Sequence, residues 1–266
     1  MFTVFWELKF NPFAKGSGAG AFESEDFRQA SARLGQLAAT RGIGLFTGVS
    51  GSGKTFALKR FVDSLNPSLF KAVYLPLSTL TVLEFYRALA FGFGVSPRFK
   101  KIDMFHELQE RIWNLYKDKR VTPLIIIDEA QYLDTKILND LKILMNFEMD
   151  SRNFAALALV GQPILSNTLS LQTHEALAQR VIINYSFNGL SKTELAEYIS
   201  SRLLSAGAAN SMFSENALEA IWARCGASPR VVDSLAEKSL MIGCQKNARQ
   251  INADIVTLAQ NENTLL

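Results

Sequence analysis

Between Gly44 and Val62 a short apolar run, a glycine loop and an amphipathic run follow one another, and this order constrains the fold more than anything else in the chain. Gly44-Leu45-Phe46-Thr47 predicts a buried strand, and Phe56 to Val62 carries apolar residues at helical spacing. Between them lies Gly48-Val49-Ser50-Gly51-Ser52-Gly53-Lys54-Thr55, with Gly, four free positions, Gly, Lys and a hydroxyl residue. Glycines let a backbone wrap with its N–H groups pointing inward, and the following helix offers the positive end of its dipole. The predicted ligand is a triphosphate. Gly48, Ser50, Gly51, Ser52 and Gly53 supply the cradle, Lys54 reaches the β- and γ-phosphates, Thr55 holds Mg²⁺, and Phe56 opens the helix beside them.

Farther on, Leu124-Ile125-Ile126-Ile127-Asp128-Glu129 places two carboxylates at the end of an uninterrupted apolar run. Such a run reads as a central parallel strand buried on both faces. Burying the charges unpaired would cost several kcal/mol, so they are expected at the crevice where open α/β sheets bind ligands. Asp128 is the expected partner of Mg²⁺ beside Thr55, and Glu129 the group that polarises an attacking water.

The rest of the chain predicts an α/β protein in three stretches: an arm and helix over 1–40, an α/β core over 41–190 and a helical part over 191–266. The arm opens with Trp6-Glu7-Leu8-Lys9-Phe10-Asn11-Pro12-Phe13, whose aromatics are expected on the core edge, followed by a Gly/Ser-rich stretch and a helix from about Ser24. Strands are predicted at 72–77, 155–161 and 181–187, and helices at 82–91, 104–117 and 134–148. Strands alternating with helices imply a parallel sheet with right-handed crossovers. Ser191, three residues before Glu194, and Ser214, before Ala217, read as helix N-caps.

Composition bounds the partners. The chain has 266 residues, 48% of them apolar, with a formal charge of +3 that permits a nucleic-acid partner without requiring one. Arg98, Lys100 and Lys101 cluster after a turn-rich stretch, and either a polyanion contact or a solvated face accounts for them. Lys117, Lys119 and Arg120 read as a solvated helix end. Cys225 and Cys244 have no metal-ligand spacing and read as reduced cytosolic thiols, and His106 and His174 as helix-surface or capping residues. No apolar stretch is long enough to span a bilayer and no signal segment is visible, so a cytoplasmic location is expected.

The glycine loop, Ile127-Asp128-Glu129-Ala130-Gln131-Tyr132-Leu133, Leu159-Val160-Gly161-Gln162-Pro163, Ala178-Gln179-Arg180 and Ser228-Pro229-Arg230, in this order after Trp6 to Phe13, resemble the ExeA (general secretion pathway protein A) family of AAA+ ATPases. The resemblance implies a P-loop ATPase core with a small C-terminal helical lid, binding ATP and Mg²⁺. It implies a sensor role for Gln162 near the γ-phosphate, an arginine finger at Arg180 acting on the neighbouring subunit, and a second sensor at Arg230. From the residues alone, the lesser alternatives are an ordinary surface cation before a strand for Arg180 and a helix-start partner of Glu237 for Arg230. Two functional classes follow from the resemblance. Short relatives, similar to MuB, TnsC and IstB, polymerise with ATP on duplex DNA and direct a transposase; Leu141 to Ser151 also looks like them. The alternative is a secretion or envelope-assembly ATPase. On the first reading the chain forms a ring or helical filament with itself, and Ser78, Thr79, Thr81, Arg98, Lys100 and Lys101 touch DNA phosphates without reading bases.

Overall fold

The computed structural model describes residues 2–17, 20–76, 78–148 and 152–262. Two compact units emerge: Gln29–Val49 with Lys54–Phe187, and Met1–Arg28 with Ser50–Gly53 and Asn188–Leu266.

The first is a sheet unit. Its helices are α2 (Glu25–Thr40, from Gln29 onward), α3 (Lys54–Ser64), α4 (Val82–Phe93), α5 (Lys101–Lys117), α6 (Thr135–Leu144), α7 (Ile164–Leu169) and α8 (Glu175–Ala178); α1 (Phe2–Phe5) belongs to the second unit. The strands β1 (Gly42–Gly48), β2 (Phe70–Leu75), β3 (Thr122–Ile127), β4 (Ala156–Gly161) and β5 (Val181–Phe187) form one parallel sheet in the order β2-β3-β4-β1-β5. Every residue of β1 and β4 is buried, as continuous apolar runs in a helix-covered parallel sheet require. Leu124, Ile125, Ile126 and Ile127 are all fully buried, each worth about 2 kcal/mol of apolar burial. Because all five strands are parallel, β1, β3 and β4 deliver Gly48, Asp128 and Gln162 to the same end of the sheet.

Local chemistry sets the helix limits. Thr81 caps α4 in a capping box with Glu84, and Gly94 closes it at φ 69°, a left-handed conformation suited to glycine. The helix predicted over 134–148 is shorter: Asp134 caps it, it stops at Leu144, and Met145 and Phe147 turn into the core, with Phe147 bridging Arg152. Met149, Asp150 and Ser151 of the stretch from Leu141 to Ser151, and Leu77 of the predicted second strand, lie outside the described residues. The short helices α7 and α8 carry no long apolar period and were not expected. His106 is exposed on α5, whereas His174 is buried at 2% exposure and is no surface residue. Lys117 pairs with Glu148 at 3.3 Å, so only Lys119 and Arg120 of that cluster stand exposed.

The second unit is helical, with α9 (Lys192–Ser205), α10 (Glu215–Cys225), α11 (Pro229–Gln245) and α12 (Ala253–Asn261). Ser191 and Glu194 form the expected capping box, and Ser214 caps α10. One expectation is corrected here: Trp6, Leu8 and Phe13 do not cover the edge of the sheet core but join the hydrophobic cluster of α9 to α12. The reason is polar as well as apolar. The Trp6 indole N–H donates to Leu240 O at 2.9 Å, and Asn11 Nδ2 to Glu237 Oε1 at 2.6 Å, so the arm satisfies buried groups on α11.

Inside this unit Tyr198 Oη donates to Asp233 Oδ1 at 2.7 Å and Arg202 Nη2 lies 3.7 Å from Oδ2. Burial outweighs both partners and pushes the Asp233 carboxyl up from 3.8 to about 6. A raised carboxyl pKa stabilises the fold at low pH, and that contribution is lost as pH rises from about 4 through about 6. Asp233→Asn is therefore expected to remove about 1–3 kcal/mol of pH dependence across that window. Thermal melts of both proteins at pH 4 and pH 7 check this; parallel shifts would refute it.

Candidate functional site

β1 ends at Gly48 and α3 starts at Lys54, leaving a loop with two positive-φ glycines, Gly51 at 80° and Gly53 at 99°. These conformations strain any residue with a Cβ. At Gly51 a Cβ would also stand 2.5 Å from Ser228 Oγ and 2.9 Å from Arg230 Cβ. Lys54 is buried, and its ammonium donates to Gly48 O at 2.7 Å and Val49 O at 2.9 Å, the shoulders of its own loop. Ser52 Oγ is buried without a hydrogen-bond partner among the described residues, as is Ser228 Oγ. An orphan hydroxyl costs about 1–3 kcal/mol, which a ligand oxygen would recover. Phe56, one turn into α3, is 44% exposed.

Asp128 follows β3 and is 3% exposed, so its charge depends on hydrogen bonds. Thr55 Oγ1 donates to its Oδ2 at 3.0 Å, Tyr74 Oη to the same oxygen at 2.8 Å, and the Glu129 N–H to Oδ1 at 2.9 Å. The loop hydroxyl and the strand-end carboxylate predicted to act together thus touch. Tyr74 is the member sequence reasoning missed. It stands on edge strand β2, where a tyrosine in an alternating run reads as ordinary strand composition. Burial first, then the hydrogen bond to Asp128 and the charges of Asp128 and Glu129, hold its phenol far above the ordinary range, so it stays a donor.

Glu129 is half-buried and left-handed, at φ 52° and ψ 36°, where a side chain costs about 1–2 kcal/mol. The tight turn throws its carboxylate off the strand axis. Its Oε2 accepts from Gln131 Nε2 at 2.6 Å, and Gln131 Oε1 accepts the Gln162 N–H at 3.0 Å. Gln162 follows β4 and is half-buried.

The arginines are placed differently. Arg180 lies between α8 and β5 and donates from Nη1 to Lys142 O at 2.8 Å, in the last turn of α6, where the dipole favours a cation. Arg230, in the first turn of α11, donates from Nη1 to Ser50 Oγ at 3.0 Å in the glycine-loop tip. Glu237, the alternative partner, takes Asn11 instead.

Of the expected nucleic-acid contacts Ser78 is corrected, while Thr81, Arg98 and Lys101 stay exposed beside the partners they hold. Ser78 is 3% exposed and its hydroxyl donates to the Asp128 carbonyl, so it belongs to the carboxylate site and not to a surface. The Thr81 hydroxyl is spent on capping α4. Arg98 pairs with Glu107 and Lys101 with Asp140, both at 2.7 Å. Thr79 and Lys100 are exposed.

Tyr74→Phe removes one of three donors to a buried carboxylate and is expected to cost about 1–3 kcal/mol, read by denaturant unfolding. A neutral substitution would mean that the remaining donors satisfy Asp128.

Similar proteins carry the same arrangement of elements. A family model described as AAA domain matches residues 37–169. The General secretion pathway protein A of Aeromonas hydrophila is 28% identical over 268 residues, covering 98% of this chain and 48% of that protein, so the chain spans about half the length of this curated relative. Among solved structures, Cdc6p from Pyrobaculum aerophilum superposes with a TM-score of 0.68 at 18% identity, over 94% of this chain and 70% of that one. The Aeropyrum pernix ORC1 protein in complex with DNA gives 0.66 at 16%, over 94% and 68%. The Thermotoga maritima RuvB Holliday junction branch migration motor gives 0.57 at 20%, over 95% and 72%. The fold is the α/β P-loop fold with its helical C-terminal part. With half of its length matched on the segment that bears the glycine loop and the Asp128-Glu129 strand end, the chain belongs to the AAA domain family.

Proposed function

We propose that the chain binds and hydrolyses ATP with Mg²⁺, and that nucleotide controls its assembly with copies of itself. The contact between Thr55 and Asp128 carries the reading, because it brings the hydroxyl after the glycine loop and the strand-end carboxylate together within the sheet unit. Lys54 trades the Gly48 and Val49 carbonyls for phosphate oxygens, a stronger charge-assisted partner. Gly48, Ser50, Gly51, Ser52 and Gly53 are read as the cradle, as the glycine-loop motif implies.

A hydroxyl and a carboxylate oxygen 3.0 Å apart are hard ligands that suit Mg²⁺, which binds through few protein groups and keeps waters and phosphate oxygens. Among the described residues no cluster of three His, Cys, Asp or Glu could hold a metal without the nucleotide. When bound, Mg²⁺ neutralises charge on the β- and γ-phosphates. Glu129 orients a water and accepts its proton as the water oxygen bonds to the γ-phosphorus and the bond to the β-γ bridging oxygen breaks. The products are ADP and inorganic phosphate. Gln162 is read as the sensor beside that phosphate, Arg230 as the second sensor, released from Ser50, and Arg180 as the finger offered to a neighbouring copy once it leaves Lys142. No helix among the described residues is long and apolar enough to cross a membrane.

For the process served, we favour assembly on duplex DNA and direction of a transposase. The resemblance to short transposition regulators and the fold shared with an ORC1 protein solved in complex with DNA support it. The footprint loses Ser78 and keeps Thr79, Thr81, Arg98, Lys100 and Lys101, all exposed. One observation favours a second reading, a secretion or envelope-assembly ATPase: the 28% identity to a General secretion pathway protein A across nearly the whole chain.

Lys54→Ala is expected to weaken ATP binding about a hundredfold, and Glu129→Gln to retain binding while slowing hydrolysis about 10²- to 10⁴-fold. ATP titration and phosphate release check both; unchanged affinity in the first or full turnover in the second would refute the site. Mixing Arg180→Ala with Glu129→Gln subunits restores hydrolysis only if the finger works in trans.

Duplex DNA should stimulate hydrolysis and appear inside ATP-dependent filaments in micrographs. Lys100→Ala should flatten the salt dependence of DNA binding by about 0.9 log units for one lost phosphate contact. Hydrolysis indifferent to DNA, with assembly in cell-envelope fractions, would select the secretion reading.

A further inference from the structure

The side-chain amide of Gln131 hydrogen-bonds both the Glu129 carboxylate and the N–H of Gln162, the residue after β4. Its orientation is dictated by its partners. A carboxylate only accepts and an N–H only donates, so Nε2 must face Glu129 Oε2 and Oε1 must face the Gln162 N–H. The bond to the carboxylate is short, at 2.6 Å, as expected when the acceptor is charged. Glutamine is the residue type that carries donor and acceptor on one rigid plane at this reach; glutamate lacks the donor and leucine both.

The surroundings are built to keep this amide in place. Ala130–Tyr132 form a single 3₁₀ turn, so Gln131 rides on a short rigid segment directly after the left-handed Glu129. At Gly161, the last residue of β4, a Cβ would stand 2.5 Å from Gln131 Oε1 and 3.3 Å from the Gln131 backbone N. Glycine there makes room for the amide. A free glutamate side chain samples many rotamers, and freezing one against solvent costs free energy. A strained backbone aims Glu129 only as far as its Cβ; the rest of the side chain needs an external partner.

We propose that Gln131 is a positioning residue for hydrolysis: it holds the Glu129 carboxylate in the orientation that polarises water and ties that orientation to the backbone at Gln162. The inference rests on the reading of Glu129 as the water-polarising group. It assigns Gln131 no contact with nucleotide, so its removal acts through Glu129 alone. The bridge also passes any displacement of the β4 end directly to the carboxylate, since both hydrogen bonds belong to one planar amide.

The test is single-turnover hydrolysis of ATP by the full chain, with enzyme in excess, alongside equilibrium ATP binding. Gln131→Leu is expected to slow hydrolysis about ten- to a hundredfold, part of what an oriented general base contributes, with ATP affinity within about twofold of the parent. Gln131→Glu keeps size and the acceptor for the Gln162 N–H but sets one carboxylate against another. It is expected to be at least as slow as Gln131→Leu, the reverse of what a merely structural tether predicts. It also serves as the test if the leucine variant fails to fold. Gly161→Ala, which displaces the amide without altering it, should slow hydrolysis severalfold and add nothing in the Gln131→Leu background. Adding Gln131→Leu to Glu129→Gln should likewise cause no further loss.

Parental rates for Gln131→Glu, or losses that multiply in the Glu129→Gln background, would overturn the inference and leave the reading of Glu129 intact. Full turnover by Glu129→Gln alone would overturn that reading, and the inference with it.

Discussion

A carboxylate buried at the end of a fully apolar strand holds this site together. Asp128 has almost no contact with solvent, and two hydroxyls and one backbone N–H converge on its carboxyl oxygens. Those donors come from α3, from β2 and from the residue after the strand. The same interaction therefore registers helix, edge strand and central strand against one another. Removing the carboxylate would take the shared acceptor from all three donors at once.

Strain accumulates next to that anchor. The chain leaves β3 through a left-handed glutamate, and the glycine loop turns at two residues with positive φ. Such conformations persist only where the surroundings hold them. Around Glu129 the hold comes from Asp128 Oδ1 on the backbone side and from Gln131 on the side-chain side. Around the loop it comes from Lys54, whose ammonium gathers the carbonyls of Gly48 and Val49. On the proposed reading, the lysine that steadies the loop is also the cation that meets the phosphates.

In the helical unit the arm does work that its composition conceals. Trp6 and Asn11 place their polar atoms on α11, the helix that opens with Arg230. Asp26 accepts the N–H groups of Asn188 and Gly189, where the chain enters this unit after β5. The arm is therefore a structural member of the unit that ends the chain, joined through hydrogen bonds that link residues far apart in sequence.

Much of this was legible in the residues. The buried runs at β1, β3 and β4, the strand β5, the glycine loop and the Ser191 capping box follow from periodicity and from short motifs, because their determinants lie within a few residues of one another, while the pairing of Thr55 with Asp128 followed only from reading two distant motifs as one site. Tyr74, Gln131 and the seat of Trp6 did not follow. Each depends on a partner brought near only by folding, and a tyrosine on an edge strand or a glutamine in a turn carries no local mark of what it will meet. One surface residue was misjudged for the same reason: Ser78 looks available in a linear chain, yet the fold buries it against the Asp128 carbonyl, while Arg98 and Lys101 stay exposed and gain Glu107 and Asp140 as partners. The chain by itself determined the site's chemistry, since covalent order brings loop, lysine and hydroxyl together. Which groups hold the carboxylates, and which charges remain free, only the tertiary structure decided, because long-range hydrogen bonds and ion pairs exist only once the sheet has closed.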